Sequence, residues 1–416
     1  MERAVTNLVW LIVPGAMLLV LAAELTARKW IHHRSRCYVH LPGLRLRLRP
    51  DPEGFPELET NVRFEVNADG ERGDEPPRST DGLCRMLVAG GSQPEGYLLG
   101  QDTTWPGALQ RLLERPEHLE RLGAGRVHVG NIARSGLGSE GLDLMLDRVL
   151  PYYPRLNTII VLVGASDVLH WLERGAPSLP PPPVRLGDVF TCHPDLTFGW
   201  RVKRLALVEL LVRLRQRWLR PVQVHDRTCR WIVRARAMRA RATEIRTDMP
   251  DPTTMLVHFD RHFRKALETA KAHADRVLVV RQPWFDKVCS PEENAQMWHG
   301  GIGQAWRENV TTYFSLSVLS RLMALLDAKA ARVAHELGVE QLDLMPILEP
   351  SRATYYDFFH ATPTGARTIA AAVAARLLGQ PVAAMSEGRR ALLDQEVDAA
   401  LALAAAEARE LEQKVS

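Results

Sequence analysis

Two short segments far apart in the chain carry the residue types that acyl transfer requires. The first is Gly-Gly-Ser at 90–92, which follows an apolar run, and the second is Asp-Phe-Phe-His at 357–360. A serine hydroxyl becomes a strong nucleophile when a histidine removes its proton, and a carboxylate can fix the histidine tautomer. We therefore predict Ser92 as nucleophile, His360 as general base and Asp357 as the carboxylate that orients His360.

The tetrahedral intermediate of acyl transfer also needs hydrogen-bond donors for its oxyanion. The backbone N–H groups of Ser92 and Gly136 are natural candidates, because glycine exposes its amide without steric cover, and Gly138 competes with Gly136 for this role. Each residue also has an ordinary structural interpretation, as a turn residue or as a cap of a helix or loop. Agreement among several segments is what favours the catalytic interpretation.

The elements that must position these residues follow from an alternation of apolar runs with helical patterns. We expect five strands, at residues 86–89, 127–129, 158–163, 277–280 and 339–344. Apolar strands separated by helices predict an α/β fold, a three-layer α/β/α doubly wound architecture with a mostly parallel five-stranded sheet. In such a sheet the carboxyl ends of the strands face one crevice. The turns that hold Ser92, Gly136, residues 164–167 and His360 should therefore converge there.

The sequence divides into four parts. Residues 5–23 form an apolar segment, 24–80 read as a juxtamembrane stalk and irregular lead-in, 81–380 form the α/β domain, and 381–416 predict a C-terminal helical tail. The alternation within the domain is interrupted at about 172–254 by an arginine-rich helical insertion. Its apolar and basic faces suit either a solvated helix or a membrane-surface helix or lid over the crevice.

The N-terminal segment predicts a membrane anchor. Residues 5–23 carry no charge, and this length approaches the roughly 20 residues that span a bilayer as a helix. A cleaved signal peptide is the alternative, although Glu2 offsets Arg3 and weakens its basic start. Four basic residues soon after the segment favour a cytoplasmic domain. Long domains can nevertheless be translocated despite local charge, so the orientation stays open.

Composition excludes several other classes. The net charge of +4 does not suggest a nucleic-acid partner. The five cysteines are scattered singly, and no histidine or cysteine has metal partners at a diagnostic spacing. We therefore expect no metal and no organic cofactor, and the sequence leaves the oligomeric state open. Trp284 and Trp298 are candidates either for a substrate pocket or for core packing.

Four segments, in this order, resemble the blocks of the SGNH (GDSL-type) hydrolase superfamily over about residues 60–380. Residues 88–96 resemble its first block in a Gly-Gly-Ser variant, 129–136 its second, 164–167 its third and 357–365 its last. The segment 67–73 resembles one that often precedes the first strand in membrane-anchored members. The resemblance implies an SGNH fold, places Gly136 at the oxyanion glycine and favours an extracytoplasmic domain.

One position departs from the family pattern. Ser166 stands where the third block carries an asparagine that donates to the oxyanion. The resemblance thus assigns Ser166 as an oxyanion residue with a shorter side chain that rotates freely. Loss of one such donor costs roughly 3–4 kcal/mol of transition-state stabilisation in a well-studied protease.

Together these observations predict a membrane-anchored serine esterase. It would hydrolyse an ester, the O-acyl group of a glycan or lipid, through an acyl-enzyme on Ser92. One alternative is an O-acyltransferase that uses the same three residues with a sugar hydroxyl as acceptor. The other is a weak or inactive member of the fold that acts as a binding or assembly factor, which the missing asparagine favours.

Overall fold

The computed structural model describes residues 2–219, 222–225 and 227–382, with side chains described from residue 13 onward except at 217. Most of the predicted C-terminal tail, residues 383–416, therefore lies outside the described residues.

Five parallel strands form the central sheet, which confirms the predicted α/β fold with its five-stranded sheet. In chain order, the strands are β1 Arg45–Leu48, β2 Val62–Glu65, β3 Leu83–Gly90, β4 Arg126–Asn131, β5 Leu156–Leu162, β6 Val222–His225, β7 Glu244–Arg246, β8 Ala274–Val280, β9 Thr312–Phe314 and β10 Glu340–Leu342. The central sheet has the order β10-β8-β5-β3-β4. The chain leaves β3 for β4 on one side and returns to β5 on the other, so β3 lies at the switch point where ligands bind in such sheets.

The central strands are apolar because helices cover the sheet. Residues 86–90 of β3 and 158–162 of β5 are buried without interruption, the pattern of a parallel sheet buried on both faces. The helices are α1 Glu2–Arg34, α2 Ser92–Glu95, α3 Trp105–Leu113, α4 Pro116–Leu122, α5 Ser139–Val149, α6 Ala165–Glu173, α7 Leu186–Val189, α8 Ala206–Leu219, α9 Arg227–Ala240, α10 Thr253–His273, α11 Pro291–Asn294, α12 Leu316–Glu336 and α13 Pro363–Leu377. Helix α3 packs with α13, and α10 packs with α5 and α12.

The segment expected to be a stalk is more ordered than its sequence suggests. Strand β1 pairs antiparallel with β2 and parallel with β6, which comes from the insertion. Leu46 and Leu48 of β1 and Phe64 of β2 are buried. Strands of four residues are too short for a clear alternation of apolar and polar residues, which explains why the sequence reads as irregular.

Helix α1 contains the apolar segment 5–23 and continues beyond it to Arg34. Its last turns pack against α8 through Ala27, Ile31 and Ala206. Among the described residues, no helix has both the length and the apolar character needed to cross a membrane.

Candidate active site

The backbone at the end of β3 places Ser92 at the sheet edge. Gly90 has a φ of +154°, and a Cβ at this position would lie 1.8 Å from the carbonyl oxygen of Leu162 on β5. Only glycine fits so close an approach between strands. The N–H of Gly91 then donates to the same oxygen at 3.1 Å, and Ser92 begins the short helix α2.

The structure brings Ser92, His360 and Asp357 into one hydrogen-bonded chain. The Oγ of Ser92 lies 2.8 Å from Nε2 of His360, and Nδ1 of His360 lies 2.8 Å from Oδ2 of Asp357. Ser92 and His360 are partly accessible, whereas Asp357 is buried. With the proton on Nδ1, His360 donates to Asp357 and can accept the proton of Ser92, which is the tautomer that general-base catalysis needs.

Several donors hold Asp357 in its ionised form. The backbone N–H groups of Phe359 and His360 each donate to its Oδ1 at 2.9 Å, and the indole Nε1 of Trp298 donates to Oδ2 at 3.0 Å. Burial alone raises the pKa of Asp357, but the imidazole of His360 and hydrogen bonds such as that from the backbone of Phe359 outweigh burial and lower the pKa. Asp357 therefore stays a carboxylate that can stabilise a charged His360.

A second histidine lies against this chain and stays neutral. His299 is buried, with its ring 3.7 Å from that of Trp298 and 4.9 Å from that of Phe359 between centroids. Burial lowers the pKa of His299 to about 3. Its two ring nitrogens are buried without a hydrogen-bond partner among the described residues, so aromatic packing supplies its contacts beside Asp357 and His360.

The predicted oxyanion residues lie at the same cavity as Ser92. Gly136, with a φ of +76°, and Ser166, near the start of α6, both line this cavity of about 560 Å³, and His360 does too. The Oγ of Ser166 would lie 3.9 Å from a Cβ placed on Gly91. Ser166 is thus beside the peptide that leads into the nucleophile, where a donor to the oxyanion is needed.

The neighbouring residues Asp167 and Gly138 have structural roles instead. Asp167 accepts hydrogen bonds from Oγ of Ser139 at 2.6 Å and from its backbone N–H at 3.0 Å, at the N-terminus of α5. Burial raises the pKa of Asp167 to about 6. A Cβ on Gly138 would lie 3.1 Å from Oδ1 of Asp167. Gly138 is needed for this close packing, while Gly136 lines the Ser92 cavity.

A buried polar network holds the loop that follows Ser92. The side chain of Arg72 donates to the carbonyl oxygens of Gly96 at 2.8 Å and Leu99 at 2.6 Å, and also contacts that of Glu95. The carboxylate of Glu95 accepts from the backbone N–H of Ser135 at 2.8 Å and from its hydroxyl. Arg72 and Glu95 were not predicted as site residues, because their partners are groups of distant loops that a local motif does not reveal.

Two groups of described residues bring potential metal ligands together. His299 joins Asp357 and His360, but His360 there is engaged with Asp357 and Ser92. Glu140 of α5 meets His258 and His262 of α10. Sequence spacing does not reveal this cluster, because the carboxylate and the two histidines come from different helices. A carboxylate oxygen lies near one nitrogen of each ring: Oε2 of Glu140 is 3.4 Å from His258, and Oδ2 of Asp143 is 3.0 Å from His262.

The two tryptophans considered from sequence have different environments. Trp298 lines the Ser92 cavity and contacts Asp357 as described above. Trp284 is buried, and its Nε1 donates to Oγ of Ser320 at 2.9 Å. Trp284 therefore belongs to the core, and Trp298 to the site.

Comparison with known proteins yields only distant structural similarities. No family model matches the chain, and no curated protein matches it. Among solved structures, it is similar to a member of the lipolytic protein G-D-S-L family from Veillonella parvula, with 10% identity and a TM-score of 0.37 over 71% of this chain and 97% of that one. The acetylxylan esterase Axe2 from Geobacillus stearothermophilus shows 12% identity and a TM-score of 0.37 over 71% and 94% of the two chains.

A third solved structure shows the same degree of similarity. It is LAE5, an alpha/beta hydrolase enzyme from the metagenome of Lake Arreo in Spain, with 11% identity and a TM-score of 0.38 over 71% and 96% of the two chains. Similarity of this degree carries no weight for the activity of this chain, which has to be argued from the geometry of the site.

Proposed function

We propose that this protein is a serine ester hydrolase of the SGNH type. The observation that carries the proposal is the hydrogen-bonded chain from Ser92 through His360 to Asp357, at the switch point of a parallel sheet. A serine on a sharp turn after a strand, a histidine that faces it and a buried carboxylate form the arrangement that activates a serine for acyl transfer.

The reaction follows from the positions of these groups. Oγ of Ser92 attacks the ester carbonyl while its proton passes to Nε2 of His360, and Asp357 stabilises the imidazolium that forms. The N–H groups of Ser92 and Gly136, with the hydroxyl of Ser166, hold the negative oxygen. When the tetrahedral intermediate collapses, the C–O bond to the alcohol breaks and His360 returns the proton to the departing alkoxide. Water then hydrolyses the acyl-enzyme by the same steps and releases the acid.

Covalent labelling tests the nucleophile directly. A fluorophosphonate probe phosphonylates activated serines, so the full-length protein should be labelled and Ser92→Ala should not. His360→Ala should lose most of the labelling because Ser92 then lacks its base. Ser79→Ala, at an exposed serine away from the site, is the matched control and should label like the native chain. Equal labelling of the native protein and Ser92→Ala would refute the proposal.

The same acyl-enzyme can pass its acyl group to water or to another hydroxyl. Product analysis with a chromogenic ester, in the presence and absence of added sugars, separates the two outcomes. Hydrolysis releases one equivalent of free acid per alcohol. Transfer releases less acid than alcohol and forms an acylated sugar.

We further propose that the first helix attaches the protein to a membrane. Met17, Leu18, Leu19 and Val20 of α1 are each more than half exposed, and a continuous apolar surface of this kind is typical of a contact with lipid or protein. The full-length chain should sediment with membranes and be released by detergent. A variant without residues 2–22 should remain in the supernatant. Protease accessibility of the α/β domain in intact cells would report its side of the membrane.

A further inference from the structure

The cavity at Ser92 has one wall built from segments outside the central sheet. This wall is lined by Leu44 and Leu46, which lie at the start of the three-stranded sheet β2-β1-β6, and by Phe64 of β2. Tyr97 and Leu98, from the loop after α2, complete it. These side chains contact one another: the rings of Phe64 and Tyr97 lie 5.5 Å apart, and Leu46 packs with Phe64 in one buried cluster. This wall is apolar.

The facing wall is aromatic and comes largely from the insertion and the loop after α11. Trp231 and Ile232 of α9 line it with Trp298 and Trp306. Trp231 packs edge-on against Trp298, with ring centroids 4.9 Å apart. Thr228 of α9 lines the same cavity as Tyr97. The insertion therefore closes one side of the cavity.

Several polar groups of this cavity are bonded within the protein, although both ring nitrogens of His299 are buried there without a hydrogen-bond partner among the described residues. His40 contacts the carbonyl oxygen of Ala133 at 2.9 Å, and burial lowers its pKa to about 4, so it is neutral. Glu95 accepts hydrogen bonds from Ser135. Burial raises the pKa of Glu173 to about 7, which favours its uncharged form.

Arg134, another charged group of this cavity, also makes hydrogen bonds within the protein. Its guanidinium donates to the carbonyl oxygens of Val39 at 3.0 Å and Val189 at 2.9 Å. Most of the surface that the cavity exposes is apolar, so a substrate there meets mainly apolar groups. An apolar group gains free energy from transfer into such a space, whereas a sugar would leave hydroxyls without partners.

A second cavity, of about 720 Å³, adjoins the first along Gly136, His170, Glu173 and Trp306. Its lining adds charged and amide side chains, including Arg174, Arg185 and Gln304. An ester carbonyl at Ser92 and Gly136 thus has an apolar space on one side and a more polar space on the other. The two arms of an ester that joins an apolar acid to a polar alcohol match this asymmetry.

We propose that the enzyme is specific for esters of apolar acyl chains of about six carbons or more, with the acyl chain in the cavity of Leu44, Phe64 and Trp231. The inference rests on the proposed function and names the substrate class of that site. A volume of about 560 Å³ is well within the range of roughly 300–1,000 Å³ that takes drug-sized ligands. An acetyl group would leave most of it empty.

Chain length is the quantity that tests this proposal. The full-length protein should be assayed against p-nitrophenyl acetate, butyrate, hexanoate, octanoate and decanoate, with Ser92→Ala as the blank. Each buried methylene is worth about 0.8 kcal/mol, so kcat/KM should rise roughly fourfold per carbon until the cavity is full. The increase should appear below the concentration at which the longer esters form micelles.

Two variants test whether the dependence on chain length arises in this cavity. Leu44→Trp fills part of the apolar wall at a partly exposed position and should lower the octanoate-to-acetate ratio of kcat/KM by at least tenfold. Leu325→Trp makes the same change on the exposed face of α12 and should leave the ratio unchanged. Equal melting temperatures would exclude misfolding as the cause.

The outcomes separate the two proposals. If the fluorophosphonate labels Ser92 but acetate is hydrolysed as well as the longer esters, the acyl-chain inference is wrong and the hydrolase proposal stands. If Leu44→Trp keeps the native ratio, the acyl chain does not bind in this cavity and the inference is also wrong. If Ser92 is neither labelled nor required for turnover of any ester, both proposals fail.

Discussion

At the scale of single residues, the site depends on short-range hydrogen bonds at one carboxylate. Asp357 accepts from two backbone amides of its own loop, from His360 and from the indole of Trp298. A buried carboxylate with this many donors stays ionised and has one orientation. Near Ser92 one hydrogen-bond donor differs from the family pattern, because Ser166 replaces the amide side chain that the family resemblance implies for the oxyanion.

Ser166→Ala tests whether the hydroxyl contributes to the oxyanion hole. If it does, kcat should fall by roughly 10²-fold with little change in KM, because an oxyanion donor acts only in the transition state. Steady-state hydrolysis of p-nitrophenyl esters measures this effect. The matched control is Ser139→Ala, which removes a buried hydroxyl that bonds Asp167. This control should lower the melting temperature and leave kcat nearly unchanged. A decrease of less than twofold in Ser166→Ala would leave the oxyanion to backbone amides alone.

Trp298→Phe tests the indole as a positioning group for Asp357. The variant keeps an aromatic ring but removes the donor at 3.0 Å, so kcat should fall roughly 10- to 100-fold, in line with the roughly 1.5–3 kcal/mol of a hydrogen bond to a charged group. The pH profile of kcat/KM should also shift, because the carboxylate of Asp357 loses one donor and its interaction with the imidazolium of His360 changes in strength. Trp284→Phe loses a comparable indole bond, to Ser320, away from the site. Similar kinetics for the two variants would contradict a positioning role.

At the scale of elements, helix contacts join the N-terminal segment to the insertion. The carboxylate of Glu24 on α1 is buried and accepts from the backbone N–H groups of Ala206 at 2.8 Å and Leu207 at 3.0 Å, at the first turn of α8. It also accepts from Arg28 at 2.8 Å. A negative charge satisfies free amides at a helix N-terminus and interacts well with the helix dipole. Helix α1 thus caps α8 from outside the insertion.

Glu24→Ala should weaken the docking of α8 on α1. The loss of a capping side chain costs about 1 kcal/mol, and more where it leaves Arg28 without its partner. Amide hydrogen exchange in residues 206–210 should accelerate at least fivefold, while exchange in α12 should not change. Glu209→Ala removes the partly exposed partner of Arg213 on α8 itself and serves as the control. Unchanged exchange in residues 206–210 would show that packing alone holds the two helices together.

At the scale of the whole molecule, a buried network joins the lead-in segment to the central sheet. Oε2 of Glu71 contacts Nε2 of His128 on β4 at 2.8 Å and accepts from Nδ2 of Asn67 at 2.9 Å, while its Oε1 accepts from the hydroxyl of Tyr153 at 2.9 Å. Arg85 of β3 contacts the same carboxylate. Burial alone raises the pKa of Glu71, but these partners outweigh burial and lower its pKa to about 2.

The direction of the pH effect follows from this lowered pKa. As pH falls, Glu71 of the unfolded chain binds a proton near its ordinary pKa of 4.5, whereas Glu71 of the folded chain binds one only near pH 2. The stability from Glu71 is therefore complete above pH 4.5 and is lost as pH falls from about 4.5 to about 2. Glu71→Gln should lower the free energy of unfolding by about 3 kcal/mol at pH 7, because it breaks a buried ion pair.

Urea unfolding at pH 7 and pH 3.5 measures both effects. The native chain should lose stability between the two values, and Glu71→Gln should lose less. Glu65→Gln, which affects a partly exposed pair with Arg47, should change stability by less than about 1 kcal/mol at either pH. An equal pH dependence in the native protein and in Glu71→Gln would show that other groups control acid unfolding.

The sequence alone determined the central sheet and the residues that make the hydrogen-bonded chain. Apolar runs such as residues 158–163 have the length and composition of buried strands, and parallel topology brings the loops with Ser92 and His360 to one edge. Asp357 and His360 are three residues apart, so a tight loop is enough to join them. These are consequences of local pattern and of one general rule of topology.

Only the tertiary structure decided what surrounds that chain. The strands with Leu46 and Phe64 are four residues long, too short to show a period, and they are ordered because β6 of the insertion pairs with β1. Trp298 reaches Asp357, and Trp231 packs against Trp298, across long stretches of sequence. Contacts of this kind depend on how separate elements pack, which the pattern of a single segment does not encode. The hydrogen-bonded chain of Ser92, His360 and Asp357 was thus predictable from local sequence, whereas the shape and polarity of the neighbouring cavity were not.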